Sequence, residues 1–360
     1  MLAYHITQLN LQNYRNYSFK QLDVSSPLVI IIGKNGSGKT NLLEAISLLA
    51  HGRGLRKSRF NEIKKDNKLH WQVSGNIQND DEYIIGSALD TDNKRIAKLN
   101  GELLKNTTEL TNWFNAIWLT PQMDGIFLDS SSERRRFFDR IIQNFDSNHA
   151  ELLANYESVQ RERIKLLKTG QHDDIWLTSL EKQLASFGIA IAAKRNRVIK
   201  LLQNSINDLT SSFPKAIIEV AGEYESALLE QTAIEVEQVL VNNLKQSRQA
   251  DAITGKTNTG PHKTDFVVIN GAKNRHAKSC STGEQKALLV SIILALGKLI
   301  RQHKGVMPVM LLDELMVHFD ATRRQELFDE INNLNAQCWI TATDADIFDN
   351  IKSQAMFIEL

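Results

Sequence analysis

Gly33-Lys34-Asn35-Gly36-Ser37-Gly38-Lys39-Thr40 is the stretch on which the reading of this 360-residue chain turns. It fits the pattern G-x-x-x-x-G-K-[ST], in which glycines free backbone N–H groups to cup phosphate oxygens and a helix N-terminus adds its positive dipole. The context agrees. The apolar run 28–32 reads as a strand buried on both faces, and 40–50 as the helix behind the loop. The pattern implies a nucleoside triphosphate with Mg2+, Lys39 reaching the β and γ phosphates and the Thr40 hydroxyl facing the metal.

Two stretches of matching chemistry stand in the last quarter. Val309-Met310-Leu311-Leu312 is a second buried-strand run, and it ends on Asp313-Glu314. Two carboxylates at the carboxyl end of a strand sit where parallel α/β sheets hold ligands. In the nucleotide reading Asp313 belongs to the magnesium shell and Glu314 polarises the attacking water as general base. Taken alone, Asp313 is equally a helix cap. Ser281-Thr282-Gly283-Glu284-Gln285 has two readings as well. It is a capping box opening the apolar helix 287–299, or a phosphate-contacting signature, and one helix N-terminus serves both.

Between these motifs the pattern changes twice. Segments 69–77, 83–89 and 96–99 alternate as strands of an antiparallel sheet. From about residue 121, Leu152, Tyr156, Val159 and Leu166, then Trp176, Leu180, Leu184, Phe187 and Ile191, recur at spacings of three and four. That periodicity predicts two antiparallel helices joined by a turn at 168–174, too few heptads for a long rod. Pro214 closes them, and 217–224, 235–244 and 266–269 read as strand, helix and strand. The expected division is therefore 1–120 and 212–360 as the two parts of one α/β head, with 121–211 a helical insert.

Composition excludes little. Hydrophobic residues make up 42% and charged residues 24% of the chain, ordinary for a soluble globular protein. The net charge of +1 requires any nucleic-acid contact to rest on a local basic surface. Cys280 and Cys338 are far apart with no C-x-x-C partner, which argues against structural zinc and disulfides and fits a reducing, cytoplasmic setting. The first residues show no secretory leader, and 288–300 is too short and too polar to span a bilayer.

The order P-loop, S-x-G-E-Q, apolar-Asp-Glu resembles ABC-type ATPases. Family-specific stretches narrow this: Tyr14-Arg15-Asn16-Tyr17, the continuation Thr40-Asn41-Leu42-Leu43-Glu44-Ala45-Ile46, Pro121 followed by Glu133-Arg134-Arg135-Arg136-Phe137-Phe138-Asp139, and Gly260-Pro261-His262-Lys263-Thr264-Asp265. Along nearly its whole length the chain resembles the RecF family of recombination mediators, relatives of the SMC ATPases. The resemblance implies an ABC-type, SMC-like P-loop ATPase head with an inserted α-helical lobe. It implies an ATP-dependent homodimer in which Ser281, Gly283 and Gln285 meet the nucleotide of a second copy, and work with RecO and RecR on double-stranded and single-stranded DNA. By the same resemblance Arg15 and Asn35 touch nucleotide, Gln122 senses magnesium and Asp320 is the D-loop aspartate. The chain departs from the family pattern at Glu314, where a second aspartate is usual, and at Val317-His318-Phe319. Transporter-type ATPases carry a histidine where Thr343 stands. A hydroxyl brings no positive charge to the γ phosphate, so slow hydrolysis suited to a switch is expected.

Arg53, Arg56, Lys57, Arg59, Lys64 and Lys65, opposed by Glu62 alone, form the densest basic segment. On charge it is a solvated face; the resemblance makes it a phosphate-contacting DNA surface. Arg134, Arg135 and Arg136 are open to DNA or to pairing with helix carboxylates, and His262 reads as part of a turn. A transporter subunit would place its signature much sooner after the P-loop, and a rod-forming SMC-like protein would need a far longer heptad array.

Overall fold

The computed structural model describes residues 3–146, 148–170, 174–316 and 319–360. Gln171, His172 and Asp173 of the expected helix turn, and Val317 and His318 of the atypical stretch before Asp320, lie outside the described residues. In chain order the elements are β1 (His5–Tyr14), β2 (Tyr17–Asp23), β3 (Leu28–Ile32), α1 (Lys39–Ser47), β4 (Gln72–Gln78), β5 (Glu82–Leu89), β6 (Arg95–Leu99), β7 (Glu102–Leu103) and β8 (Ala116–Leu119). Then come α2 (Ser131–Phe145), α3 (Asn148–Thr169), α4 (Asp174–Asn207), β9 (Ala216–Ala221), α5 (Glu223–Ala227), α6 (Ala233–Gln246), α7 (Arg248–Thr254), β10 (Asp265–Asn270) and β11 (Arg275–His276). The chain closes with α8 (Thr282–Lys304), β12 (Val309–Leu312), α9 (Ala321–Leu334), β13 (Cys338–Ala342) and β14 (Ala355–Glu359).

These elements form two compact units. The first comprises Met1–Asp124, Leu209–Phe213 and Leu289–Leu360. It holds a parallel five-stranded sheet of order β14-β3-β13-β12-β8 and an antiparallel six-stranded sheet of order β2-β1-β4-β5-β6-β7. β3, β12 and β13 are continuous apolar runs because parallel strands are covered on both faces. β4 instead alternates, burying Val73, Gly75 and Ile77 and turning the residues between them outward. α1 packs against β8 and β13 of one sheet and β4 of the other, which accounts for the complete burial of Leu42, Leu43, Ala45 and Ile46. The expected strand 69–77 begins three residues late: Leu69 is exposed, and Trp71 is the first side chain to enter the core.

The second unit comprises Gly125–Asp208 and Pro214–Leu288. α3 and α4 pack lengthwise, burying Tyr156, Val159, Leu180, Leu184, Ile189 and Ile191. Here the expected boundaries need correcting, because 214–288 shares this core and not that of the 289–360 segment. Val236, Leu240 and Leu244 of α6 complete the α3/α4 cluster, and Tyr224 joins it from α5. Tyr224 also shows why the expected strand 217–224 is shorter: β9 ends at Ala221, and a helical turn carries Tyr224 inward. Buried ion pairs tie the unit together. Arg163 holds Glu181 at 3.1 Å and Asp251 at 2.7 Å, while Arg195 clamps Asp139 through Nε at 3.0 Å and Nη2 at 2.8 Å.

Candidate nucleotide-binding site

The P-loop leaves the carboxyl end of β3 and re-enters a helix at Lys39. Gly38 caps α1 with φ 108°, a conformation that L side chains rarely adopt. It also has no room for one: a Cβ there would lie 2.8 Å from both Asn16 Nδ2 and Tyr17 Oη. The Tyr14–Tyr17 turn thus presses directly on the loop. Gly36, with φ 84°, has open space around it. Lys39 is buried and donates to the carbonyls of Gly33 at 2.6 Å and Lys34 at 3.1 Å, with Glu314 Oε1 at 4.0 Å.

Beneath the loop, three side chains and the backbone amide of Glu314, from three segments, form one hydrogen-bonded chain. Thr40 Oγ1 donates toward Asp313 Oδ1 and Oδ2, at 3.0 and 3.1 Å. Thr341, fully buried in β13, donates to Asp313 Oδ1 at 2.7 Å and accepts the Glu314 backbone N–H at 2.9 Å. Glu314 has a left-handed backbone, φ 51°, and its side chain is partly exposed. The adjacency follows from sheet order, since β13 lies between β3 and β12, so the ends carrying the P-loop, Thr341 and Asp313 are neighbours. Gln122 follows β8 on the far side of β12 and is exposed, and Thr343 is exposed just past β13.

The residues fit the expected ligand. Hydroxyl and carboxylate oxygens at Thr40 and Asp313 are the donor set of a hard divalent cation such as Mg2+. Ser37 Oγ is buried inside the loop with no protein partner, an acceptor and donor available to a phosphate.

Glu44 anchors α1 from behind. Its buried carboxylate receives Arg15 Nε at 2.8 Å and Nη2 at 2.6 Å, Tyr14 Oη at 3.1 Å and Arg56 Nη1 at 3.5 Å. Arg15 also donates to Ser58 Oγ and the Glu62 carbonyl, so its guanidinium holds the P-loop helix. Asn35 is exposed at the loop tip.

The signature stretch lies in the second unit and forms the capping box. Ser281 N–H and Oγ both donate to Glu284 Oε2, at 2.8 and 2.9 Å, and Glu284 N–H returns to Ser281 Oγ at 3.4 Å. Lys273 pairs with Glu284 and, with the Ser281 N–H, holds that carboxyl down to about 2. Ser281 is exposed and Gly283 half-buried. Gln285 is buried, and its amide donates to the carbonyls of Ala277 and Cys280, so it shapes the turn. Asp320 caps α9, accepting from Arg323 N–H at 2.8 Å.

The basic segment is uneven. Arg53, Lys57 and Arg59 are exposed, whereas Arg56 donates to Asn41 and Glu44, and Lys65 to the Asn16 carbonyl and Ser18 Oγ. Lys64 is half-buried, bridged by its backbone to Tyr14. Arg134 forks onto Asp265 at 2.8 and 2.6 Å, Arg136 pairs with Glu133, and Arg135 donates to the Thr264 carbonyl. Both ring nitrogens of His262 are used, Nδ1 toward Tyr156 Oη and Nε2 toward the Thr257 carbonyl, each at 2.8 Å. Burial pushes its pKa down to about 4, a neutral structural imidazole. Sequence reasoning missed Thr341 and the Glu44 anchor. Thr341 is signalled by a polar residue inside the apolar run 338–342, and Glu44 by an acid on the buried face of α1.

A parallel sheet whose adjacent strand ends present a P-loop and an Asp-Glu pair, in a chain with an antiparallel sheet and a helical unit, defines an SMC-like ABC-type ATPase head. The sequence matches the family described as "RecF/RecN/SMC N terminal domain" over residues 5–358. It is 41% identical to the DNA replication and repair protein RecF of Rickettsia typhi, over 98% of both chains. It is 37% identical to that of Mesorhizobium japonicum, over 98% of this chain and 95% of the other. A solved structure described as the recombination mediator protein RecF-ATPrS in the RecFOR pathway superposes with TM-score 0.84 at 27% identity, covering 96% of this chain and 94% of that one. An Smc head domain from Pyrococcus furiosus shares the fold alone, with TM-score 0.51 at 17% identity over 96% and 90%. The chain belongs to the RecF family.

Proposed function

We propose that this chain is an ATP-switched, DNA-binding ATPase that acts as a recombination mediator in DNA replication and repair. The observation that carries the ATPase reading is the Thr40–Asp313–Thr341–Glu314 hydrogen-bonded chain under the P-loop. Lys39, now on the loop's own carbonyls, exchanges them for β and γ phosphate oxygens, while the N–H groups of Lys34, Asn35, Gly36, Ser37 and Gly38 line the cradle and that of Gly33 stays on the Ala342 carbonyl. Mg2+, when bound, neutralises phosphate charge; Thr40 and Asp313 would hold it, with Gln122 at its edge. Glu314 orients and deprotonates water. Thr343 brings no cation, which supports weak turnover; stimulation by DNA is the accompanying part of the proposal.

In this reading Ser281 and Gly283 meet the nucleotide of a second copy, with Asp320 near the contact. ATP then favours a dimer that clamps double-stranded DNA at gaps and single-strand junctions, and hydrolysis releases it. Support comes from the exposed Ser281 at a helix N-terminus and from the roles of the relatives in DNA replication and repair. RecR and RecO are the implied partners in loading recombinase, in the cytoplasm. No described helix is long and apolar enough to cross a membrane.

The test is mass in solution, with and without ATP, for the parent chain and Glu314→Gln, repeated on gapped DNA. The expected result is an ATP-dependent dimer that Glu314→Gln makes persistent. If that variant stays monomeric with ATP on DNA, the composite site is wrong.

A further inference from the structure

Within the second unit, α2, α3, α4 and the 260–262 turn enclose a cleft of about 270 Å³ that the ATPase reading does not use. Leu153, Ile191 and Pro261 contribute apolar lining, and Arg135, Arg136, Arg161 and Arg195 bring four guanidiniums to it. Arg195 is balanced by Asp139 and Glu225, Arg136 by Glu133, and Arg161 loosely by Glu157 at 3.8 Å. Arg135 feels Asp139 and Asp265 only as carboxylates shared with other groups. Its Nη1 donates to the Thr264 carbonyl, and among the described residues no carboxylate forms an ion pair with it. The acids around it are already taken, Asp139 by Arg195 and His149, Asp265 by a two-pronged contact with Arg134. Burial, and then the charge of Arg195, push its pKa down. A half-buried guanidinium beside like charges, with its nearest carboxylates already bonded elsewhere, is a favourable place for an added anion.

We propose that this cleft docks an acidic peptide of a partner protein, one carboxylate forking onto Arg135 and an adjacent apolar side chain resting on Leu153, Ile191 and Pro261. The fork geometry of Arg135 matches a carboxylate. A nucleic-acid backbone fits less well, because Asp139 and Glu157 stand in the cleft wall and its apolar lining offers nothing to successive phosphates. Arg161 on the exposed face of α3 draws the same acidic segment in.

The test uses the full chain and fluorescein-labelled nonapeptides: one alternating aspartate and leucine, one of aspartate and serine, one of lysine and leucine. Fluorescence anisotropy is read for the parent, Arg135→Gln and Arg161→Gln, with circular dichroism to check folding. The aspartate–leucine peptide binds best. Arg135→Gln weakens it about ten-fold and Arg161→Gln about three-fold, with ATP turnover unchanged. Arg161 is exposed, so that variant reads out the site even where Arg135→Gln lowers stability. Four results overturn the proposal: no binding to the parent, equal binding of the lysine–leucine peptide, affinity unchanged in both variants, or loss of a duplex oligonucleotide with the peptide unaffected. The last assigns the cleft to nucleic acid.

Discussion

Thr341 makes the two hydrogen bonds on which the acidic pair depends. One fixes Asp313 toward Thr40, and the other pins the Glu314 amide, setting the left-handed turn that points Glu314 toward Lys39. It touches neither phosphate nor water in this reading and is a positioning residue. Thr341→Val leaves the Asp313 oxygen and the Glu314 N–H short of a partner. The expected result is a fall in kcat of about ten- to a hundred-fold with KM changed little, restored by Thr341→Ser. Steady-state kinetics on the three proteins decides it, and equal losses in Val and Ser variants would leave Thr341 a mere packing residue. The P-loop, Asp313 and Glu314 were all legible in the sequence because their chemistry is written in consecutive residues. Thr341 and Glu44 were not, because each acts on residues far along the chain.

At the scale of elements, the P-loop helix is positioned by the β1–β2 turn. Gly38 lies between Asn16 and Tyr17 and has the backbone of a residue without Cβ. Gly38→Ala therefore pays both strain and a displaced turn, about 1–3 kcal/mol in stability, and should weaken ATP binding at least about ten-fold. Urea unfolding and equilibrium ATP titration measure the two; wild-type values for both would refute the brace.

A second element-scale prediction concerns His262, which ties the 260–264 turn to α3 through Tyr156. Its pKa is about 4 folded against about 6.5 unfolded, so between these values the unfolded chain binds the extra proton. Stability then rises with pH across that window and is lost as pH falls from about 6.5 toward 4. His262→Gln should reduce the difference in unfolding free energy between pH 7.5 and 4.5 by about 2 kcal/mol. An undiminished slope in the variant would mean other groups carry it.

At the scale of the whole molecule, the basic segment 53–65 divides into two jobs that its composition could not separate. Arg56 and Lys65 are engaged with α1 and the β1–β2 turn, while Arg53, Lys57 and Arg59 are exposed. If these three meet DNA phosphates, neutralising them together lowers the slope of log affinity against log salt by about 2–3, with ATP binding intact. Measured as duplex binding across a salt series, an unchanged slope removes the segment from the DNA surface. Neutralising Arg56 instead should disturb α1 and nucleotide affinity first.

The sequence alone determined the class of this protein, since a P-loop, a signature stretch and an apolar-Asp-Glu run are local patterns whose backbone and dipole chemistry needs no neighbours to be read. It also settled the buried parallel strands, because burial on both faces leaves an unbroken apolar run. Only the tertiary structure decided which cations and amides are engaged in contacts within the chain. Arg15, Arg56 and Arg134 carry the side chains of ligand contacts, yet each bonds a protein group distant in the chain, and Gln285 bonds the turn just before its own helix. It likewise moved 214–288 into the helical unit, because Val236, Leu240 and Leu244 find their apolar partners on α3 and α4, and such burial is a property of contacts between segments that no single segment records.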